Sequence, residues 1–279
     1  MALIRNTYGK ARVRVMRVYR EGPFNEVREL SVQAMLEGEF AAAYTRGDNR
    51  SVVATDTIKN IVNIVAREEL RAPAEIFAQK LAARLLARYD HAERASISCR
   101  ETRWARATVD GQPHPHHFRL DGNGQGAAWV VATRDGVTTE SGVAGFTFMK
   151  STAAGWVGYW CDEYTTLPET TDRILATAMD ARWAWNAEPG DYPATNSLIL
   201  ETMLCEFAGT YSRGMQDSLF RMGEAALARV PELQTITMAC PNKHYIPLNL
   251  DQFGLSADNA VFTVTDEPHG QIECTVGRG

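Results

Sequence analysis

The chain has no excess of basic charge and little lysine among its 279 residues. Its formal net charge is -5, and this argues against a protein that binds a nucleic-acid backbone, because such proteins carry a basic surplus. Only five of the 29 basic residues are lysine, and two of them, Lys10 and Lys243, fall in short polar runs. A locally basic pocket for a small anion remains compatible with the overall charge.

The chain also lacks closely spaced cysteines and long apolar runs. Its five cysteines are odd in number, widely spaced and without a CxxC pair, which predicts reduced thiols in a cytosolic protein. No apolar run approaches the roughly 20 residues of a membrane span. The first residues lack a signal-peptide core, and Val276–Gly279 lacks a C-terminal peroxisomal signal. We therefore expect a cytoplasmic protein that binds neither membranes nor nucleic acid.

Alternation of apolar and polar residues predicts that the chain begins with a β-hairpin. The period is two over residues 12–15 and again over 30–36, and a turn signal, Glu21-Gly22-Pro23, lies between them. After Thr55 the period changes to that of a helix, with Asp56 and Thr57 as its predicted caps. The apolar stripe of this helix consists of Ile58, Ile61, Val62 and Val65.

The remaining pattern suggests that strands, helices and strands occur in this order twice. In the first half, a second helix follows Pro73, and a strand over 95–99 is predicted to pair with one over 104–109. In the second half we predict strands over 145–148, 181–185 and 235–240, a helix that begins at Pro168, and a long helical region over 196–230, broken near Gly214. This order predicts an α+β protein with antiparallel sheets, and two repeats over 1–135 and 136–279.

Four compact polar runs carry the chemistry. Asn242-Lys243-His244 follows the last of these strands, and an amide, a base and an imidazole placed together can hold and deprotonate a small polar heterocycle. The other runs are Tyr8-Gly9-Lys10, Thr55-Asp56-Thr57 and 162–173, the last predicted to open the helix at Pro168. Each run taken alone is also explained by turn or cap chemistry.

A metal site is the main alternative use of the histidines. His114, His116 and His117 lie close together, but two prolines interleave with them, and no nearby carboxylate or cysteine completes a typical ligand set. We therefore predict no metal site at these histidines.

In this order the four runs resemble the urate oxidase (uricase) family, in its bacterial type, and the likeness extends from Tyr8 to Arg278. The resemblance implies the tunnelling fold (T-fold), with two tandem ββααββ-type repeats whose antiparallel sheets form a barrel between subunits. It implies a homotetramer with active sites at subunit interfaces. The implied reaction of purine catabolism is the cofactor-independent oxidation of urate by dioxygen and water to 5-hydroxyisourate and hydrogen peroxide.

The resemblance also implies a role for each site residue. Lys10, Thr55 and His244 would form the catalytic proton relay. Thr55 and Asn242 would flank the site of dioxygen and water. The implied substrate-binding residues are Thr55, Asp56, Trp156, Leu167, Arg173, Met215, Gln216 and Asn242. Lys10, Thr55 and Asp56 would come from the neighbouring subunit.

One position departs from the family pattern, because Trp156 stands where family members have a phenylalanine that stacks on the substrate. Tryptophan also stacks, with more area and an additional N–H donor. Two alternatives stay open. The chain could be another T-fold enzyme that acts on a pterin or purine, since fold alone does not decide chemistry. It could also bind urate without catalysis, a reading that only Trp156 favours.

Overall fold

A computed structural model describes residues 1–256 and 258–279 of the chain. The chain divides into two units, Met1–Gly142 and Val143–Gly279, each with its own antiparallel strand pairs, helices and hydrophobic core. The sequence predicted two repeats, 1–135 and 136–279. The two units are defined by their internal contacts and not by repetition, so the predicted repeats stay a prediction.

The first unit contains five strands, three helices and the start of a sixth strand. Its hydrogen-bonded strand order is β1–β2–β3–β5, and β4 pairs with the far end of β3. The sixth strand, β6, leads the chain into the second unit. In chain order the elements are β1 (Tyr8–Tyr19), β2 (Glu26–Gly38), α1 (Ala41–Arg46), α2 (Thr55–Glu69), α3 (Ala74–Arg88), β3 (Ala92–Val109), β4 (Gln112–Asp121), β5 (Gln125–Thr133) and β6 (Val137–Lys150).

The predicted hairpin and the predicted first helix are confirmed. Strands β1 and β2 are antiparallel, and Val15 lies opposite Leu30, with both side chains in the core. Helix α2 buries Ile58, Val62 and Val65 from its predicted stripe. The helix predicted after Pro73 is α3. The apolar spacing therefore identified the buried face of each element correctly.

Two local predictions in the first unit are wrong. Residues 95–99 and 104–109 are parts of the single strand β3, which pairs with β2 and β5 along its first part and with β4 along its last part. Asp56 and Thr57 do not cap α2, because its N-cap is Ala54 and no side chain caps it. Asp56 lies in the first turn instead, where its negative charge is stabilised by the positive end of the helix dipole. Its carboxylate also forms an ion pair with Lys59.

The second unit follows the order strand, strand, helix, helix, strand, strand. Strand β8 lies between β7 and β9 and is antiparallel to both. Trp183, Met203 and Leu219 lie in the core of the unit. After β6 the elements are β7 (Leu175–Trp185), α4 (Tyr192–Gly209), α5 (Met215–Arg229), β8 (Leu233–Pro247), a 3-10 turn (Asp251–Phe253) and β9 (Phe262–Gly277).

Most predictions for the second unit are confirmed. The predicted strands are parts of β6, β7 and β8, and the long helical region is α4 and α5, separated at residues 210–214. Asp191 begins α4, because its carboxylate accepts a hydrogen bond of 3.0 Å from the backbone N–H of Ala194. The Asn242-Lys243-His244 run lies within β8 rather than after its end.

The predicted helix at Pro168 is wrong, because the backbone of this segment pairs elsewhere. The N–H of Trp156 donates to the carbonyl of Thr170 at 2.7 Å, and the N–H of Thr170 donates back at 3.1 Å. The Tyr159 hydroxyl donates to the carbonyl of Leu167. Residues 156–170 therefore form a non-helical loop closed by a two-residue bridge, and β7 begins at Leu175.

The five cysteines are free thiols, as predicted. Burial raises the pKa of Cys240, a core residue, to about 12. Among the helices of the described residues, none combines the length and the apolar character that a membrane crossing requires.

Gly9 gives a test of the packing of β1 on β2. A Cβ at this position would lie 2.0 Å from the carbonyl oxygen of Ala34, so the Gly9→Ala substitution forces the two strands apart. We expect the free energy of unfolding to fall by about 2 kcal/mol, as for other overpacked sites, measured by urea denaturation. Gly22→Ala is the matched control, because no atom lies within 4 Å of its Cβ position. Equal losses in the two variants would contradict this account.

Candidate functional site

A cavity of about 440 Å³ lies in the second unit. One wall is formed by the 156–170 loop and the residues up to Ile174, and the other by the end of β8. Its size is that of pockets for small ligands. The structure brings five of the predicted site residues to its wall: Trp156, Leu167, Arg173, Asn242 and His244.

Arg173 is one of the charged residues that line this cavity, with Glu169, Asp172 and Lys243. Its backbone N–H donates to the carbonyl of Ala154 at 2.9 Å, which holds the residue beside the loop. Its side chain is half-buried, and Nε has no hydrogen-bond partner among the described residues. Burial lowers the pKa of Arg173 from its usual range, and Tyr211 partly opposes this shift. A buried donor without a partner costs free energy, which a ligand that supplies an acceptor would recover.

Trp156 forms an aromatic wall next to this guanidinium. The guanidinium carbon of Arg173 lies 6.0 Å from the centre of the indole ring. Tyr159 stacks on Trp156 with a centroid separation of 5.6 Å and an angle of 13° between the rings. This stack and the backbone bridge to Thr170 fix the orientation of the indole.

The end of β8 supplies the opposite polar groups. Asn242 lies opposite Thr177 of β7 and opposite Gly270 of β9, and the β8–β9 register shifts between Asn242 and His244. The Nζ of Lys243 forms an ion pair of 2.7 Å with Asp266. Because this ammonium already has an acidic partner, Asn242 and His244 are the better candidates for contact with a ligand.

The two predicted residues of helix α5 take different positions. Met215 is 2% exposed and lies in the core, and it is not among the residues that line the cavity in the described part of the chain. Gln216 is exposed. Both its Oε1 and the Trp156 indole lie next to Gly214. From the position that a Cβ on Gly214 would occupy, Oε1 is 3.3 Å away and the indole Cζ3 is 2.7 Å away. The amide of Gln216 is therefore close to the indole.

Lys10, Thr55 and Asp56 belong to the first unit, where they lie near one another. Lys10 is on β1, just before a register shift, and Thr55 is the first residue of α2. The Tyr8 hydroxyl accepts a hydrogen bond of 2.8 Å from the N–H of Val53, which ties the start of α2 to β1. Lys59, and less strongly Lys10, hold the pKa of Asp56 below its usual range.

The histidines of β4 are close together, with centroid separations of 4.6 Å for His114 and His116 and 5.8 Å for His114 and His117. Burial, and then the neighbouring His116, lower the pKa of His114. Within 1–256 and 258–279, no group of three or more His, Cys, Asp or Glu side chains is placed to hold a metal ion.

The sequence patterns missed three residues that support the site. Tyr159 stacks on Trp156, Tyr211 contacts the segment before Arg173, and Lys150 holds the end of α4. Only Tyr159 had a usable signal, since it follows Trp156 by three residues in a loop rich in aromatics. The other two act over distances in sequence that no local pattern reports.

An antiparallel α+β unit whose cavity is lined by a guanidinium, an indole, an amide and an imidazole defines a protein suited to a small, flat, polar ligand. The family model described as Uricase matches residues 6–128 and 139–273. The chain belongs to the uricase family. The predicted α+β tunnelling fold is that of its structural relatives.

Individual relatives agree over nearly their whole length. A uricase from Aspergillus flavus is 37% identical over 97% of this chain and 95% of the relative. A uricase from Arthrobacter globiformis is 36% identical over 100% of this chain and 90% of the relative. The crystal structure of uricase from Arthrobacter globiformis superposes with a TM-score of 0.94, covering 100% of this chain and 95% of that one.

Lys150 gives a test of how the end of α4 is held in place. Its Nζ donates to the carbonyls of Phe207 at 3.1 Å and Thr210 at 2.8 Å, at the end of α4. We expect Lys150→Met to lower the free energy of unfolding by about 2 kcal/mol, because both carbonyls lose a charged donor. The measurement is urea denaturation.

The control for this substitution is Lys80→Met, which removes only the surface ion pair with Glu69. Such pairs contribute less than about 1 kcal/mol, so the control should be close to the parent protein. If both variants lost the same stability, Lys150 would have no special role at the end of α4.

Proposed function

We propose that the chain is a urate oxidase that binds urate in the cavity of the second unit. The observation that carries this proposal is the half-buried guanidinium of Arg173, which lines the cavity and has a donor nitrogen without a partner in the described residues. Urate is a flat purine with carbonyl oxygens and an anionic nitrogen at its edges. The planar fork of an arginine matches such acceptors.

The remaining walls suit the same ligand. Trp156 offers an aromatic face on which a purine can stack. Asn242 offers an amide at the β8 side, and His244 offers an imidazole that exchanges protons near neutral pH. Gln216, beside the indole, would bind a second edge of the ring. Leu167, Met215 and Asp56 complete the proposed substrate-binding set, Asp56 through its backbone amide.

The reaction requires a base, because removal of a second proton from urate raises the electron density of the ring. In our proposal, Lys10 deprotonates the Thr55 hydroxyl, which takes the proton from urate, and His244 relays it. Urate then transfers an electron to dioxygen, and the radical pair recombines to a peroxide. The peroxide leaves as hydrogen peroxide and water adds, giving 5-hydroxyisourate. Thr55 and Asn242 would hold dioxygen and water in turn.

The proposed site is shared between chains. Lys10, Thr55 and Asp56 of one subunit would meet the cavity of a neighbouring subunit in a homotetramer built from intersubunit barrels. The resemblance to the family supports this assembly, and a closed barrel also removes exposed sheet edges. No metal or flavin takes part in this scheme, because the substrate itself is the reductant. The five free cysteines support the cytoplasm as its location.

The direct test is a urate-dependent oxygen trace on gel-filtered protein in metal-free buffer with chelator. We expect oxygen uptake, loss of the ultraviolet absorbance band of urate, and one hydrogen peroxide for each urate consumed. The active fraction should elute as a tetramer. Turnover that required added zinc or flavin would refute the cofactor-free scheme, and urate binding without oxygen uptake would indicate a binding protein.

A complementation experiment tests the shared site. Lys10→Met removes the proposed base, and kcat should fall by roughly 10²- to 10⁴-fold, the usual contribution of general base catalysis, with a small change in KM. Arg173→Met should mainly weaken urate binding. Assemblies refolded from a mixture of the two variants should recover part of the activity, because some interfaces then combine an intact Lys10 with an intact Arg173.

The control for complementation is each variant refolded alone, which should keep its reduced activity at the same protein and urate concentrations. If the mixture had no more activity than the separate variants, while forming mixed tetramers, Lys10 and Arg173 would not serve one site from two chains.

A further inference from the structure

Tyr211 lies in the short connection between α4 and α5 and reaches the loop that carries the site. Its hydroxyl donates to the carbonyl of Thr171 at 2.8 Å. The same oxygen lies 2.2 Å from the position that a Cβ on Gly155 would occupy. Residue 155 must therefore be a glycine for the Tyr211 hydroxyl to reach Thr171. One hydroxyl therefore touches both sides of the bridge that closes the loop.

This bridge determines the relative placement of the two residues that matter most in the cavity. Gly155 immediately precedes Trp156, and Thr171 is two residues before Arg173. Two backbone hydrogen bonds join Trp156 and Thr170, and the backbone N–H of Arg173 donates a third to the carbonyl of Ala154. Within the loop, the N–H of Gly158 also donates to the Glu169 carboxylate at 2.7 Å, and the Tyr159 hydroxyl donates to the carbonyl of Leu167. Those contacts lie on the loop side of the bridge, whereas Tyr211 contacts the chain on the other side, where it continues to Arg173.

The connection that carries Tyr211 is itself firmly held. The N–H of Ser212 donates to the carbonyl of Ala153 at 3.0 Å, and the carbonyl of Ser212 accepts from the N–H of Gly155 at 2.9 Å. The hydroxyls of Ser218 and Ser212 are 2.6 Å apart and buried. Arg221 donates to the carbonyl of Tyr211 at 3.2 Å. The hydroxyl of Tyr211 is therefore presented to Thr171 from a rigid support.

We propose that Tyr211 is a positioning residue for substrate binding, whose hydroxyl holds the Thr171 carbonyl so that the Arg173 guanidinium stays beside the Trp156 indole. Tyr211 does not line the cavity in the described part of the chain, so it acts through Arg173 and not by contact with the ligand. This inference rests on the proposed function, since it takes urate as the ligand.

The test is the Tyr211→Phe substitution, which removes the hydroxyl and keeps the ring. Loss of one hydrogen bond at a site of this kind should weaken binding of urate roughly 3- to 10-fold. We expect this change both in KM and in the dissociation constant measured by anaerobic titration with urate, where no turnover occurs. The value of kcat should change less than twofold, because the proton relay is untouched.

Two controls separate positioning from a purely structural role. Tyr19→Phe makes the same chemical change at a hydroxyl that has no partner among the described residues, and urate affinity should be unchanged. In an Arg173→Lys background, the effect of Tyr211→Phe should shrink, because a residue that acts through Arg173 has no independent effect once the guanidinium is gone. Full additivity of the two substitutions would overturn the proposal.

The outcomes also distinguish this inference from the proposed function. If the parent protein binds urate without oxygen and Tyr211→Phe binds it equally well, only the positioning role is refuted. If the parent protein binds no urate, the proposed function fails as well. If Tyr211→Phe lowers the thermal midpoint and leaves both KM and the dissociation constant unchanged, Tyr211 is structural alone.

Discussion

The half-burial of one guanidinium next to an indole is the constraint on which the second unit depends. Burial lowers the pKa of Arg173, and its Nε lacks a partner within the described residues. Such an arrangement is unfavourable unless a ligand completes it. The unit maintains it with backbone pairing between Trp156 and Thr170, with the Tyr159 stack on the indole, and with the end of α4 held by Lys150.

The first unit places a lysine, a hydroxyl and a carboxylate near one another at its edge, on Lys10, Thr55 and Asp56. The close approach of β1 to β2 at Gly9 positions Lys10, and the hydroxyl of Tyr8 ties the start of α2 to the same strand. Each unit thus carries half of the chemical groups that the proposed reaction needs. A site that combines both kinds of group from two chains would be active only in the assembly, which makes catalysis dependent on correct association.

Local patterns predicted the elements whose burial is periodic, and failed where long-range pairing decided the backbone. The stripe of α2 and the alternation in β1 and β2 report a face that is buried, so they transfer directly from sequence to structure. The proline at 168 is a valid local signal for a helix start. It was overridden because the N–H and carbonyl of Thr170 pair with Trp156, fourteen residues earlier. The prediction of two strands within β3 was wrong for a similar reason. This strand pairs with β5 along one part and with β4 along another.

The sequence by itself determined the α+β class, the buried faces and the residue types that the chemistry needs. Hydrophobic spacing and the identity of reactive side chains are properties of short stretches of the chain, so they can be recognised without its tertiary contacts. Only the tertiary structure decided which of those residues meet. It gathered Trp156, Leu167, Arg173, Asn242 and His244 around one cavity, directed Met215 into the core, and brought Tyr211 to Thr171. These outcomes depend on contacts between segments far apart in the chain, whose energies arise from packing and hydrogen bonding that no single segment contains.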